Sequence, residues 1–154
     1  MERPKSGAAP SSRKRALDLM ARAERSELQA AWDSIDPKPD VAAVRGPETG
    51  LVMVRGRAGG GGAQFNLGEV TVTRATVRVG EDLIGHGYAL GTDQRKVRLV
   101  AIFDGLLQRP DMLEPIETQL LRPVEARLEQ EDAKLREETA ATRVDFFTMV
   151  RGED

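Results

Sequence analysis

The chain contains no cysteine. Disulfides, thiolate nucleophiles, iron–sulfur ligation and thiolate-bound zinc are therefore excluded from its own chemistry. It has one histidine, His86, too few imidazoles for a histidine metal cluster and a thin basis for a Ser-His-Asp relay. Aromatic residues make up 4% of the 154 positions while charged residues make up 31%, which favours a chain that completes itself against partners over a self-sufficient small domain. No apolar run approaches the roughly 20 residues needed to span a bilayer. The charged start is not followed by the apolar stretch of a secretory signal, so a cytoplasmic protein without membrane attachment is expected.

The formal net charge is −2, which argues against a general polyanion binder. The charge is uneven. Arg3, Lys5, Arg13, Lys14, Arg15, Arg22 and Arg25 make the start basic, whereas residues 125–138 are mostly acidic. The Arg13-Lys14-Arg15 cluster lacks the aromatic interleaving of a nucleic-acid surface and reads as a solvated helix face.

Residues 1–11 read as a flexible tail. Two short helices, or one bent helix, are expected over 12–35, with Leu17, Met20 and Ala21 on one face. Ser26 and Gln29 form a candidate capping box ahead of Leu28, Ala31, Trp32 and Ile35. Asp36-Pro37-Lys38-Pro39 stops the helix. Residues 41–45, 51–57, 68–79 and 83–90 are rich in Val and Thr and read as strands, with Gly80-Glu81-Asp82 a hairpin connection and an antiparallel sheet the result. In 68–79, Thr71, Thr73, Ala75, Val77 and Val79 form the core face, and Val70, Val72, Arg74, Thr76 and Arg78 the mixed outer face. Thr92 or Asp93 caps a helix to Gln108 with an apolar stripe of Leu99, Ile102, Phe103 and Leu106, widened by Val97 and Val100. A shorter helix follows around Met112, Leu113, Ile116 and Leu120, and Pro123 is expected to break or restart it. Residues 124–142 favour helix with few apolar positions, as expected of a solvated or partner-bound arm. The layout is α+β: an antiparallel sheet covered by helices, a core domain over 12–110, and a helical arm with a docking segment over 111–154.

Three stretches draw functional attention. Residues 55–62, Arg-Gly-Arg-Ala-Gly-Gly-Gly-Gly, combine forked donors with glycines that let backbone N–H groups approach an anion, so Arg55, Arg57, Gly59 and Gly60 are candidate phosphate or phosphonate binders. No Lys-Ser/Thr follows, which separates the stretch from a Walker loop, and a basic hairpin loop without a ligand explains it equally. Arg74, on a β-branched strand, is a further candidate, with a plain exposed strand charge as its alternative. Gly85, Gly87 and Gly91 are spaced one residue too widely for a dinucleotide fingerprint and mark a close strand–helix approach instead. His86 reads as a hydrogen-bonded strand histidine more readily than as a general acid or base. Near the end, Val144, Phe146, Phe147, Met149 and Val150 place much apolar surface where a chain is usually polar, framed by Asp145 and Arg151. That segment is expected to dock on a partner or on its own domain. No catalytic constellation or metal site is legible.

Residues 48–52 (Glu-Thr-Gly-Leu-Val), Arg57 to Gly60, Phe65, Thr73-Arg74, Gly91 leading into the helix through Gln108, and above all 144–152 (Val-Asp-Phe-Phe-Thr-Met-Val-Arg-Gly) together resemble the PhnG family. That family supplies the G subunit of the bacterial carbon–phosphorus lyase core complex, and the resemblance runs from about Ser12 to Gly152. It implies an accessory role in phosphonate catabolism. The G, H, I and L subunits together displace adenine from ATP with a phosphonate, giving a ribose 1-alkylphosphonate 5-triphosphate. The I subunit is thought to carry the nucleosidase-type chemistry. The iron–sulfur cluster and S-adenosylmethionine belong to the separate J subunit, which joins G, H and I in the core. No cofactor is expected in this chain, and ATP is a substrate of the complex. A role in a composite active site through Arg55, Arg57 and the glycines, and a stand-alone anion-binding module, are the rival readings.

Overall fold

A computed structural model describes residues 10–141. In chain order these form α1 (Pro10–Arg22), α2 (Arg25–Asp33), β1 (Val41–Arg57), β2 (Gln64–Val79), β3 (Leu83–Leu90), α3 (Gln94–Leu106), α4 (Pro110–Ile116), a π-type turn (Glu117–Leu121) and α5 (Arg122–Ala141). The three strands form one antiparallel sheet in the order β1-β2-β3, in line with the α+β expectation.

Residues 41–45 and 51–57 are one strand, where the sequence suggests two. Gly46 and Pro47 are absorbed by register shifts between Ala43 and Arg45 and between Arg45 and Glu48. β1 is an edge strand, where a proline without an amide donor costs no central ladder bond. β2 starts at Gln64, four residues before the expected Gly68, because Gln64, Phe65 and Asn66 pair with Arg57, Gly56 and Arg55.

The sheet has one covered face and one open face. Thr73, Ala75, Val77 and Val79 of β2 are buried, and so are Gly85, Gly87 and Ala89 of β3, which lie beside them in the ladder. α3 lies across this side. Its N-terminus is capped by Asp93, whose carboxylate accepts the Lys96 amide at 2.9 Å. Val97, Val100, Ile102, Phe103 and Leu106 are almost wholly buried, each contributing about 1.5–3 kcal/mol through burial. Gly85 and Gly87 make the close approach possible. A β-carbon at Gly85 would collide with the Ala101 carbonyl oxygen, and one at Gly87 with that of Val97.

The other helices close the core from beyond α3. α1 buries Ala16, Leu19 and Met20, and Ala23 just beyond it is buried too, with Leu17 and Ala21 only half-buried, so the helix is rotated from the Leu17/Met20/Ala21 face expected. The α2 cap also differs from the expected Ser26/Gln29 box. The reciprocal box joins Glu24 and Glu27, with the Glu24 amide donating to Glu27 Oε2 at 2.7 Å. Tertiary contact explains the choice, because Arg127 of α5 holds the same Glu27 carboxylate at 2.8 and 2.9 Å. Pro123 does not break the final helix. It follows the π-type turn at the second position of α5, and the wider winding before it accommodates the missing donor. Ile116, Leu120, Leu121, Val124 and Leu128 join the core, whereas residues 129–141 are exposed throughout.

Candidate functional site

β3 pairs with β2 only from Val72 to Val79, so residues 51–57 of β1 and 64–71 of β2 continue as a two-stranded ribbon. Arg55, Arg57, Gly59 and Gly60 stand at its far end. A short 3₁₀ turn, Ala58–Gly60, reverses the chain. Gly59 has φ +59°, a left-handed conformation that favours glycine. The Gly62 amide donates to the Ala58 carbonyl at 3.1 Å, and Arg57 Nη1 donates to the Gly62 carbonyl at 3.4 Å. Arg57 thus braces its own loop. Arg55 is exposed and forms no ion pair among the described residues.

Arg74 is elsewhere. It lies opposite Glu48, and its Nε donates to Glu48 Oε1 at 2.6 Å, while Arg45 pairs with the same carboxylate. The Arg74 hydrogen bond holds the Glu48 carboxyl below the usual carboxylate range. Arg55 lies seven positions beyond Glu48 along β1, or roughly 23 Å of extended strand. The ribbon tip and Arg74 are therefore two separate basic places.

The arrangement missed by sequence reasoning is centred on Asp104. This carboxylate sits inside the buried run of α3 with a fully buried side chain. Its Oδ1 accepts Arg13 Nε at 2.9 Å. Its Oδ2 accepts Arg13 Nη2 at 2.8 Å and the His86 backbone amide at 2.8 Å. One buried carboxylate thereby ties α1, α3 and β3 together. Hydrogen bonding to Asp104 raises the pKa of Arg13. The signal available in the sequence was an aspartate interrupting an apolar stripe, a place that normally demands a partner.

Two further arginines bind the helices. Arg15 donates to Glu117 at 3.1 Å and to Glu125 at 3.0 Å, and its pKa is raised by those bonds. Arg127 holds Glu27 and Glu131, which raises the pKa of Arg127; the Arg127 bond is the main cause lowering that of Glu27. Burial lowers the pKa of Lys96, whose ammonium donates to the Ala21 carbonyl at 2.7 Å. Arg13 and Arg15 are thus committed to ion pairs within the protein, where a solvated helix face was expected.

This arrangement offers little for catalysis. The His86 ring is exposed, with Nδ1 3.3 Å from the Thr76 hydroxyl. The oxygens of Asp104 are already committed to donors. No group of three or more His, Asp or Glu that could hold a metal occurs among the described residues, and none of their helices is long and apolar enough to cross a membrane. Val144, Asp145, Phe146, Phe147, Met149, Val150 and Arg151 lie outside the described residues.

The family described as phosphonate metabolism protein PhnG matches residues 11–152. The chain belongs to the PhnG family. The α-D-ribose 1-methylphosphonate 5-triphosphate synthase subunit PhnG of Rhizobium meliloti (strain 1021) is 61% identical over 142 residues, covering 92% of this chain and 90% of the relative. The PhnG match takes in the ribbon tip, the Asp104 network and the apolar C-terminal segment alike.

Proposed function

We propose that this PhnG-family chain acts in the cytoplasm as the accessory subunit of α-D-ribose 1-methylphosphonate 5-triphosphate synthase. The complex joins ATP and methylphosphonate and releases adenine, in phosphonate catabolism. The observation that carries the reading is the 61% identity across nine-tenths of a synthase subunit. The site chemistry is consistent with a supporting role. Displacing adenine calls for a proton donor at the base, an oriented phosphonate oxygen and a cradle for the triphosphate. The described residues offer basic groups for a cradle and no paired acid, base or nucleophile.

The partners are the I, H and J subunits of the core complex, with L acting functionally. The segment 144–151 is the anchor on the I subunit, through Phe146, Phe147, Met149 and Val150. Aromatic and apolar anchors of this kind dominate interface energies. A chain lacking residues 144–154 is expected to stay soluble and to lose co-purification with the I subunit. Retained co-purification would remove the anchor role.

A second reading rests on one observation: Arg55 and Arg57 project from a ribbon tip without carboxylate partners among the described residues. In the assembled complex they would contribute to binding the triphosphate or phosphonate. Arg57→Ala is then expected to slow turnover with assembly intact, and unchanged turnover would dismiss this role.

A further inference from the structure

The helices pack on one face of the sheet, and the opposite face carries a continuous apolar strip. Register places its members side by side. Gly56, Val54 and Val52 of β1 stand opposite Phe65, Gly68 and Val70 of β2, and Val72, itself buried between its neighbours, stands opposite Leu90 of β3. Directly opposed residues share a face. Leu67, the extra residue of the register shift, lies against Gly56, where a β-carbon would meet its side chain at 2.7 Å. Leu90 is 73% exposed, Leu67 62%, Tyr88 52% and Phe65 47%. Scattered exposed leucines need no explanation, but a contiguous strip on a two-stranded ribbon does. A two-stranded ribbon is marginal in water without something to pack on.

Charge indicates what covers it. On the strip's own face Arg45 and Arg74 share a single carboxylate, Glu48, and Arg78 stands farther along β2 on the same side. The face is basic in a chain whose formal net charge is −2. A second copy stacked on it would set two such arginine groups against each other, with one glutamate each. A different chain with an apolar patch bordered by carboxylates fits both the strip and its rim.

We propose that this open face, from Phe65 and Leu67 on the ribbon to Tyr88 and Leu90 on β3, docks a sister subunit of the synthase through such an acid-rimmed apolar patch. The docking rests on the subunit reading above and is separate from the C-terminal anchor. It makes the β1–β2 ribbon an assembly element, with Arg55 and Arg57 on the ribbon's other side.

The test is capture of the other synthase subunits, co-expressed, by the tagged full chain carrying Leu67→Glu together with Leu90→Glu. Both side chains are more than half exposed, so the fold is expected to survive, as circular dichroism and thermal unfolding would show. Capture is expected to fall at least tenfold, while Ala30→Glu, on the exposed side of α2, leaves it unchanged. Equal capture by the double variant and the wild type overturns the docking face and spares the subunit reading. Failure of the wild type to capture anything overturns both. A wild-type homodimer dissolved by the double variant assigns the face to a second copy. A double variant that loses stability but keeps capture assigns it to this chain's own residues 144–151. Either result refutes the proposal.

Discussion

Asp104→Ala is the most informative single perturbation of the fold. The substitution removes a carboxylate that accepts three hydrogen bonds, two from Arg13 and one from the His86 amide. The His86 amide loses its acceptor beside the covered face of the sheet, at about 1–3 kcal/mol for an unsatisfied buried donor. Arg13 suffers less. Its side chain is 48% exposed, and a groove lined by Arg13, Leu17, Leu107, Gln108 and Leu113 lets water reach it. The lost ion pair therefore belongs well below the 3–5 kcal/mol of a fully buried pair. A total of about 2–4 kcal/mol follows. For a chain of this length that lowers the melting temperature by roughly 5–15 °C. Arg13→Ala is expected to cost at least as much, because it leaves the fully buried Asp104 carboxylate with the His86 amide alone, and a double-mutant cycle should return a coupling of about 1 kcal/mol or more. Thermal and urea unfolding of the full chain measure all three. A loss below about 0.5 kcal/mol for Asp104→Ala would refute the claim that this carboxylate holds α1, α3 and β3 together.

Glu27→Gln tests the clamp between α2 and α5. The Arg127 hydrogen bond depresses the Glu27 pKa in the folded state, so its contribution is present above the ordinary glutamate range and is lost as pH falls through the depressed folded value. The variant should be less stable at neutral pH and lose less on acidification than the wild type; parallel pH profiles would contradict this. Gly87→Ala places a β-carbon into the Val97 carbonyl and should cost about 1–3 kcal/mol or more through overpacking, read from the urea midpoint.

The parts of the fold governed by period and local chemistry were legible in the sequence. The alternation from Thr71 to Val79 assigned the sheet faces, the Val97–Leu106 stripe assigned the covering helix, and the Gly85/Gly87 spacing marked their close approach. What escaped depends on contacts distant in the chain. The Glu24/Glu27 cap is selected by Arg127, one hundred residues away from Glu27 in sequence. Asp104 acquires meaning only once Arg13 lies beside it. β1 reads as two strands because Gly46 and Pro47 interrupt its pattern, and only pairing with β2 joins them. The site shows the same division. The basic ribbon tip was visible as composition, but its roughly 23 Å separation from Arg74 required the strand register.

Adenine release is the most direct measure of the account. The synthase subunits, supplied with ATP and methylphosphonate, should release adenine when this chain is present and lose nearly all of that activity when it is omitted. His86→Ala in this chain should leave turnover unchanged if the histidine is only a strand residue hydrogen-bonded to Thr76. Full adenine release without the chain, or its abolition by His86→Ala in an intact assembly, would contradict the assignment of a required but non-catalytic subunit.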